Sequence, residues 1–150
     1  MMRLIVILVG WLVLVPLALR GHRWAYFAFV VLGLLYFPAR VGFHLTPRAC
    51  ELPVDRHLAV VSLTNYAHML LFAPFFILSL AQFDGGGGWR FVWAFAATIV
   101  MGALVEVAEG VTGSGHCRLR DLIPDGVGAV LGSLLVLGWN GARGLVARRA

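Results

Sequence analysis

Five stretches of almost uninterrupted apolar residues, at about Leu4–Leu19, Trp24–Gly42, Leu58–Gln82, Phe91–Glu109 and Leu122–Trp139, leave this 150-residue chain few ways to fold. Each approaches the roughly 20 residues that an α-helix needs to cross the hydrocarbon core of a bilayer. Hydrophobic residues make up 61% of the chain and charged residues 13%, about half the charged share of a soluble domain. A water-soluble globule of this length has too little interior to hide so much apolar surface. The same balance excludes a disordered chain. The net charge of +5 comes from 12 arginines and no lysine, scattered singly and in pairs. No basic stripe tracks a phosphate backbone, so no nucleic-acid partner is expected; anionic lipid headgroups suit such a charge better. The expected fold is all-α: a single membrane domain over residues 1–150, a polytopic helical bundle of about five transmembrane helices, or four plus an interfacial or re-entrant segment. The expected location is the cell (inner, cytoplasmic) membrane, crossed several times.

The segments differ in character. The third and fourth are long and carry few charges. The second crosses only if its helix continues through Pro38 to Arg40 or the bilayer thins around it. The first follows Arg3 as a secretory signal would, but Arg20, His22 and Arg23 stand where cleavage needs small residues, so an uncleaved span is expected. Asp84 and Gly85–Gly88 form a flexible connector without the lysine and hydroxyl residue of a phosphate-cradling loop. The longest connection, about Phe43 to His57, reads as a polar surface loop or cap. Pro16 and Pro74 read as kinks, and Trp24, Trp89 and Trp139, near segment ends, as interfacial anchors.

Charges are costly inside a bilayer, at about 2.5–3.5 kcal/mol each by insertion scales, so where they gather is informative. Here they gather between Leu104 and Gly132. Glu106 and Glu109 close the fourth segment, Arg118 and Arg120 occupy the loop, and Asp121 and Asp125 open the fifth. At 100° per residue Asp121, Asp125, Gly128 and Gly132 fall on one stripe about 60° wide, and Thr98, Gly102, Glu106 and Glu109 within about 80°. The glycines Gly102, Gly128 and Gly132 allow a neighbouring backbone to approach closely. Bidentate pairing with Arg118 and Arg120 is the expected means of neutralising the acids. In the third segment His68 shares a face with Thr64, Phe75 and Ser79. With the segment taken as one helix, it lies about two turns deeper than Asp125, at the floor of a cavity rimmed by the acid–arginine cluster.

These residues resemble the VanZ-like family of membrane proteins over about residues 58–139. Glu106 matches that family's first glutamate, and Asp121, Gly128 and Gly132 match its D-x-x-x-N-x-x-G-x-x-x-G run. Glu109 stands where glutamine is usual and Asp125 where asparagine is usual. Arg118 lies three residues before Asp121, where the family's arginine lies about six before. In HMLLFAPFF, His68, Phe72 and Pro74 match a second motif, with Phe76 in place of a common glycine. The resemblance implies a bacterial cell-envelope protein, the family taking its name from a member associated with resistance to the glycopeptide antibiotic teicoplanin.

Two readings of the cluster follow. One is a structural ion-pair network locking the fourth and fifth segments; the other is a ligand site for a membrane lipid or lipid-linked envelope precursor, gripped by the arginines. A small membrane enzyme on a phosphate-bearing lipid, with Glu106 or Asp125 as base, and a proton- or cation-coupled transporter using His68, Glu109 and Asp125 remain alternatives. No cofactor or metal is expected. A zinc site from His44, Cys50, His57, His116 and Cys117 has no recognisable ligand spacing. Five spans place Cys50 and Cys117 on one side; two free thiols are the leading expectation, and a disulfide follows if that side is oxidising. Arginine counting ties: Arg3, Arg40, Arg48, Arg56, Arg118 and Arg120 face Arg20, Arg23, Arg90, Arg143, Arg148 and Arg149. Discounting Arg118 and Arg120 puts the C-terminus inside and the acids outside.

Overall fold

The computed structural model describes residues 2–85 and 87–147. They form six α-helices: α1 (Met2–Leu19), α2 (Arg23–Arg40), α3 (Arg56–Ser62), α4 (Tyr66–Leu80), α5 (Trp89–Thr112) and α6 (Leu122–Ala147), with one 3-10 turn at Leu119–Asp121 before α6. No strand occurs among the described residues, only an isolated parallel bridge between Glu51 and Arg118. Two helices, α5 and α6, are long and apolar enough to cross a membrane, and the bent pair α3–α4 makes a third if it counts as one span. The described side chains of α1 form a shorter apolar helix over Leu8–Leu19. Helices continue through Pro16, Pro38 and Pro74.

The helices run back and forth between two ends. One end carries the α1–α2 turn, the α4–α5 connector and the later part of α6. Gln82 donates there to the Ala18 carbonyl at 2.7 Å, and Arg23 pairs with Asp84 at 3.0 Å. The connector turns through positive φ at Gly85 and Gly87, which glycine adopts without strain; Gly86, like Arg148 and Arg149 of the arginine count, lies outside the described residues. The other end carries the long loop, α3, the start of α4, the end of α5 and the start of α6.

Apolar packing joins α1, α2 and α4 through Leu14, Ala18, Tyr26, Phe72, Phe75 and Leu78, with Met101 from α5. Inside that core the Tyr26 hydroxyl and Ser79 Oγ are 2.9 Å apart, satisfying two buried polar groups at once. A second cluster, Phe76, Leu80, Ala94 and Ala129, ties α4 to α5 and α6.

The segment Leu58–Gln82 is not the single helix expected: α3 and α4 are bent by 73°. The cause is local. Asp55 caps α3 by accepting the Leu58 amide at 2.7 Å, while Ser62 and Thr64 turn their hydroxyls onto the carbonyls of Ala59 and Val61. Such bonds compete with the helical ladder, and Leu63, Thr64 and Asn65 close with tight amide bonds three residues back.

Gly128 and Gly132 face α4. A Cβ at Gly132 would lie 2.5 Å from the Ala73 carbonyl oxygen, and one at Gly128 2.8 Å from that of Met69. Overpacking of that kind costs about 1–3 kcal/mol, against about 1 kcal/mol gained when alanine replaces glycine in a helix. Gly132→Ala is thus expected to lower the unfolding free energy of the detergent-solubilised protein by up to about 2 kcal/mol. Gly138→Ala, in open space, should not lower it.

Candidate functional site

Four acids and one histidine converge at the end of the bundle that carries the long loop. Because α4 starts afresh at Tyr66, His68 occupies its first turn and meets the first turn of α6. His68 Nδ1 lies 2.7 Å from Asp125 Oδ1, with the Asp125 side chain fully buried. His68 is therefore level with Asp125, not two turns deeper. Phe72, one turn on, stacks on the imidazole at 6.0 Å. The second Asp125 oxygen, Oδ2, is buried with no hydrogen-bond partner among the described residues. Gly102 makes room for it, since a Cβ there would collide with that oxygen; α5 thus contributes an absence of side chain where α6 contributes a carboxylate.

Glu106, on the same face of α5 as Gly102, is 5% exposed. Its Oε2 accepts the Arg118 backbone amide at 2.5 Å, while Oε1 is buried without a partner. Asp121 is 9% exposed. Glu109 lies one turn further out, where Oε2 accepts the His116 amide at 3.0 Å and Gly113, at φ 63°, ends the helix.

The arginines do not neutralise these acids. Arg118 Nε and Arg120 Nη2 both approach Glu51 Oε2, at 3.4 and 3.3 Å. Arg118 is near enough for charge attraction but outside hydrogen-bond geometry. What reaches the cluster from Arg118 is its backbone N–H. The reason is the long loop, which is laid across the end of α5 and stapled there. Arg48 N–H donates to the Gly110 carbonyl at 2.8 Å, Thr46 Oγ1 to that of Thr112 at 3.1 Å, and the Glu51 and Leu119 amides complete the bridge. Cys50 and Cys117 are joined by a disulfide, in place of the two free thiols expected. With those neighbours bonded, Glu51 and Arg118 are forced side by side. Sequence reasoning missed Glu51, and the signal was its position next to a cysteine.

A cavity of about 430 Å³ opens over the cluster, lined by Arg40, Arg48, Asn65, His68, Glu109, Arg118 and Asp121 together with the turn at residues 113–116. Arg40 and Arg48 have no carboxylate partner within 4.0 Å among the described residues. Of the residues singled out from the sequence, His68, Glu106, Asp121 and Asp125 come together in the interior, Glu109 and Arg118 line the cavity, and Arg120 is turned to Glu51. The zinc set drawn from the loops loses both thiols to the disulfide. A different set lies within metal-ligand range: one ligand atom each from His68, Glu106 and Asp121, all within 4.8 Å of one another. No family model, no curated protein and no solved structure matches this chain.

Proposed function

We propose that this chain is a multi-pass, VanZ-like envelope membrane protein whose cavity takes the anionic headgroup of a membrane lipid or lipid-linked envelope precursor. The observation that carries the reading is the placement of Arg40, Arg48 and Arg118 around one cavity, with two of the three guanidinium groups free of carboxylates. In this reading α1, α2, α4, α5 and α6 cross the bilayer and α3, bent away by 73°, lies at its surface. Large apolar side chains point outward along the bundle, among them Leu12, Leu70 and Leu134, as lipid contact requires. Exposed Trp24, Trp89 and Trp139 stand near the end opposite the cavity, as an aromatic belt does.

The disulfide supports an extracytoplasmic cavity, because such bonds persist in oxidising compartments. With Arg118 and Arg120 paired to Glu51, the described arginines balance, Arg20, Arg23, Arg90 and Arg143 at the opposite end against Arg3, Arg40, Arg48 and Arg56 at this one, so the orientation rests on the disulfide.

Each arginine near anionic lipid is worth about 1 kcal/mol, so the double variant Arg40→Ala/Arg48→Ala is expected to bind anionic lipid about 30-fold more weakly with its fold intact. Native mass spectrometry of wild type and variant, loaded with phosphatidylglycerol or phosphatidylcholine, measures this. Equal retention of both lipids by both proteins would remove the reading. Catalysis on a phosphate-bearing lipid is favoured by one observation: Asp125 holds His68 through Nδ1, leaving Nε2 as the ring nitrogen with free valence. Turnover of such a lipid by wild type, lost in His68→Ala, would select that alternative.

A further inference from the structure

Three carboxylates, those of Glu106, Asp121 and Asp125, surround one imidazole in the interior, each at most 9% exposed. The two arginines nearest in sequence are turned to Glu51. Buried carboxylates need a compensating charge or full hydrogen bonding, and this group has neither. Glu106 Oε1, on a side chain 95% buried by its 5% exposure, has no partner, and the atoms of Glu106, Asp121 and His68 that can ligate a metal face one another within 4.8 Å.

We infer that His68, Glu106 and Asp121 form a binding site for one divalent transition-metal ion. His68 bonds Asp125 through Nδ1, which leaves Nε2 to ligate. Asp125 then has the place of the carboxylate that orients a metal-bound histidine and fixes its tautomer. An imidazole with two carboxylates suits zinc or manganese. At ligand distances of about 2.1 Å a tetrahedral ion brings its ligands to about 3.4 Å from one another, so binding draws the three side chains inward by an ångström or so. Two carboxylates balance a doubly charged ion, leaving Asp125 to the histidine.

Three protein ligands leave a fourth position open. Since His68 and Asp121 line the cavity, that position faces it and takes water or an anionic oxygen. The site rests on the geometry of the cluster and not on the headgroup reading, with which it shares only the cavity.

The test uses the full chain, delipidated in detergent, treated with chelator and titrated with zinc or manganese chloride by calorimetry, with metal content counted by mass spectrometry. One equivalent is expected. His68→Ala and Asp121→Asn should each weaken binding at least 100-fold. Asp125→Asn should weaken it about 10- to 100-fold, the usual effect of losing an orienting partner. Asp84→Asn, which removes an exposed acid at the opposite end, should leave it unchanged. X-ray absorption should show nitrogen and oxygen neighbours and no sulfur. Less than a tenth of an equivalent on folded wild type would overturn the site, as would stoichiometric binding indifferent to His68→Ala and Asp121→Asn, or sulfur ligation. Loss of metal binding alongside intact phosphatidylglycerol retention would sink the metal and spare the headgroup reading; the reverse result would do the opposite.

Discussion

Replacing His68 by leucine is expected to destabilise the metal-free protein by about 3–5 kcal/mol, the range for removing one partner of a buried charged pair. The Asp125 side chain is fully buried and its Oδ2 already lacks a partner. Without the imidazole Nδ1 at 2.7 Å, both oxygens are stranded between α4, α5 and α6. The companion change Asp125→Leu strands the histidine instead, and should cost less because the imidazole side chain keeps 17% exposure. The double variant is the informative one. Removing both partners takes away the desolvation penalty, so the His68→Leu/Asp125→Leu protein should recover most of the loss. Reversible unfolding of the four proteins in mixed micelles, in chelator, measures the coupling. A coupling below about 0.5 kcal/mol would mean that the pair does not hold the helices. A stable double variant that no longer retains anionic lipid would show that the pair serves the cavity as well as the fold.

Breaking the Cys50–Cys117 disulfide is expected to cost about 2–4 kcal/mol. Chain entropy assigns about 4 kcal/mol to a cross-link between residues 67 apart. Structure retained by the unfolded chain in detergent reduces the figure. The effect should reach the cavity too. The bond holds Glu51 against Arg118 and keeps the Arg118 amide on Glu106. In Cys50→Ser/Cys117→Ser, phosphatidylglycerol retention should therefore fall along with the melting temperature. Unchanged melting with and without reductant would contradict the clasp.

Much of this end of the molecule is legible in the residues. The stripe of Asp125, Gly128 and Gly132 on α6 is there, with the glycines at a close approach, while Asp121 stands in the 3-10 turn just before that helix, and His68 does belong with the acids. Its depth is not legible, because the break between α3 and α4 is written in the hydrogen bonds of the Ser62 and Thr64 hydroxyls to carbonyls, which apolar content conceals. The arginine partners are hidden for another reason. Arg118 and Arg120 are near the acids in sequence, yet Glu51, 67 residues before Arg118, takes both.

Composition and the spacing of apolar residues were enough to make this chain a set of hydrophobic helices with Glu106, Glu109, Asp121 and Asp125 gathered at one end. Those properties belong to single helices and their own periodicity. Which carboxylate meets which cation was left to the assembled bundle, because it depends on how far one helix slides and turns against another. Contacts at Gly102, Gly128 and Gly132 and a loop stapled over the end of α5 set that registration, and periodicity along one segment carries no record of it.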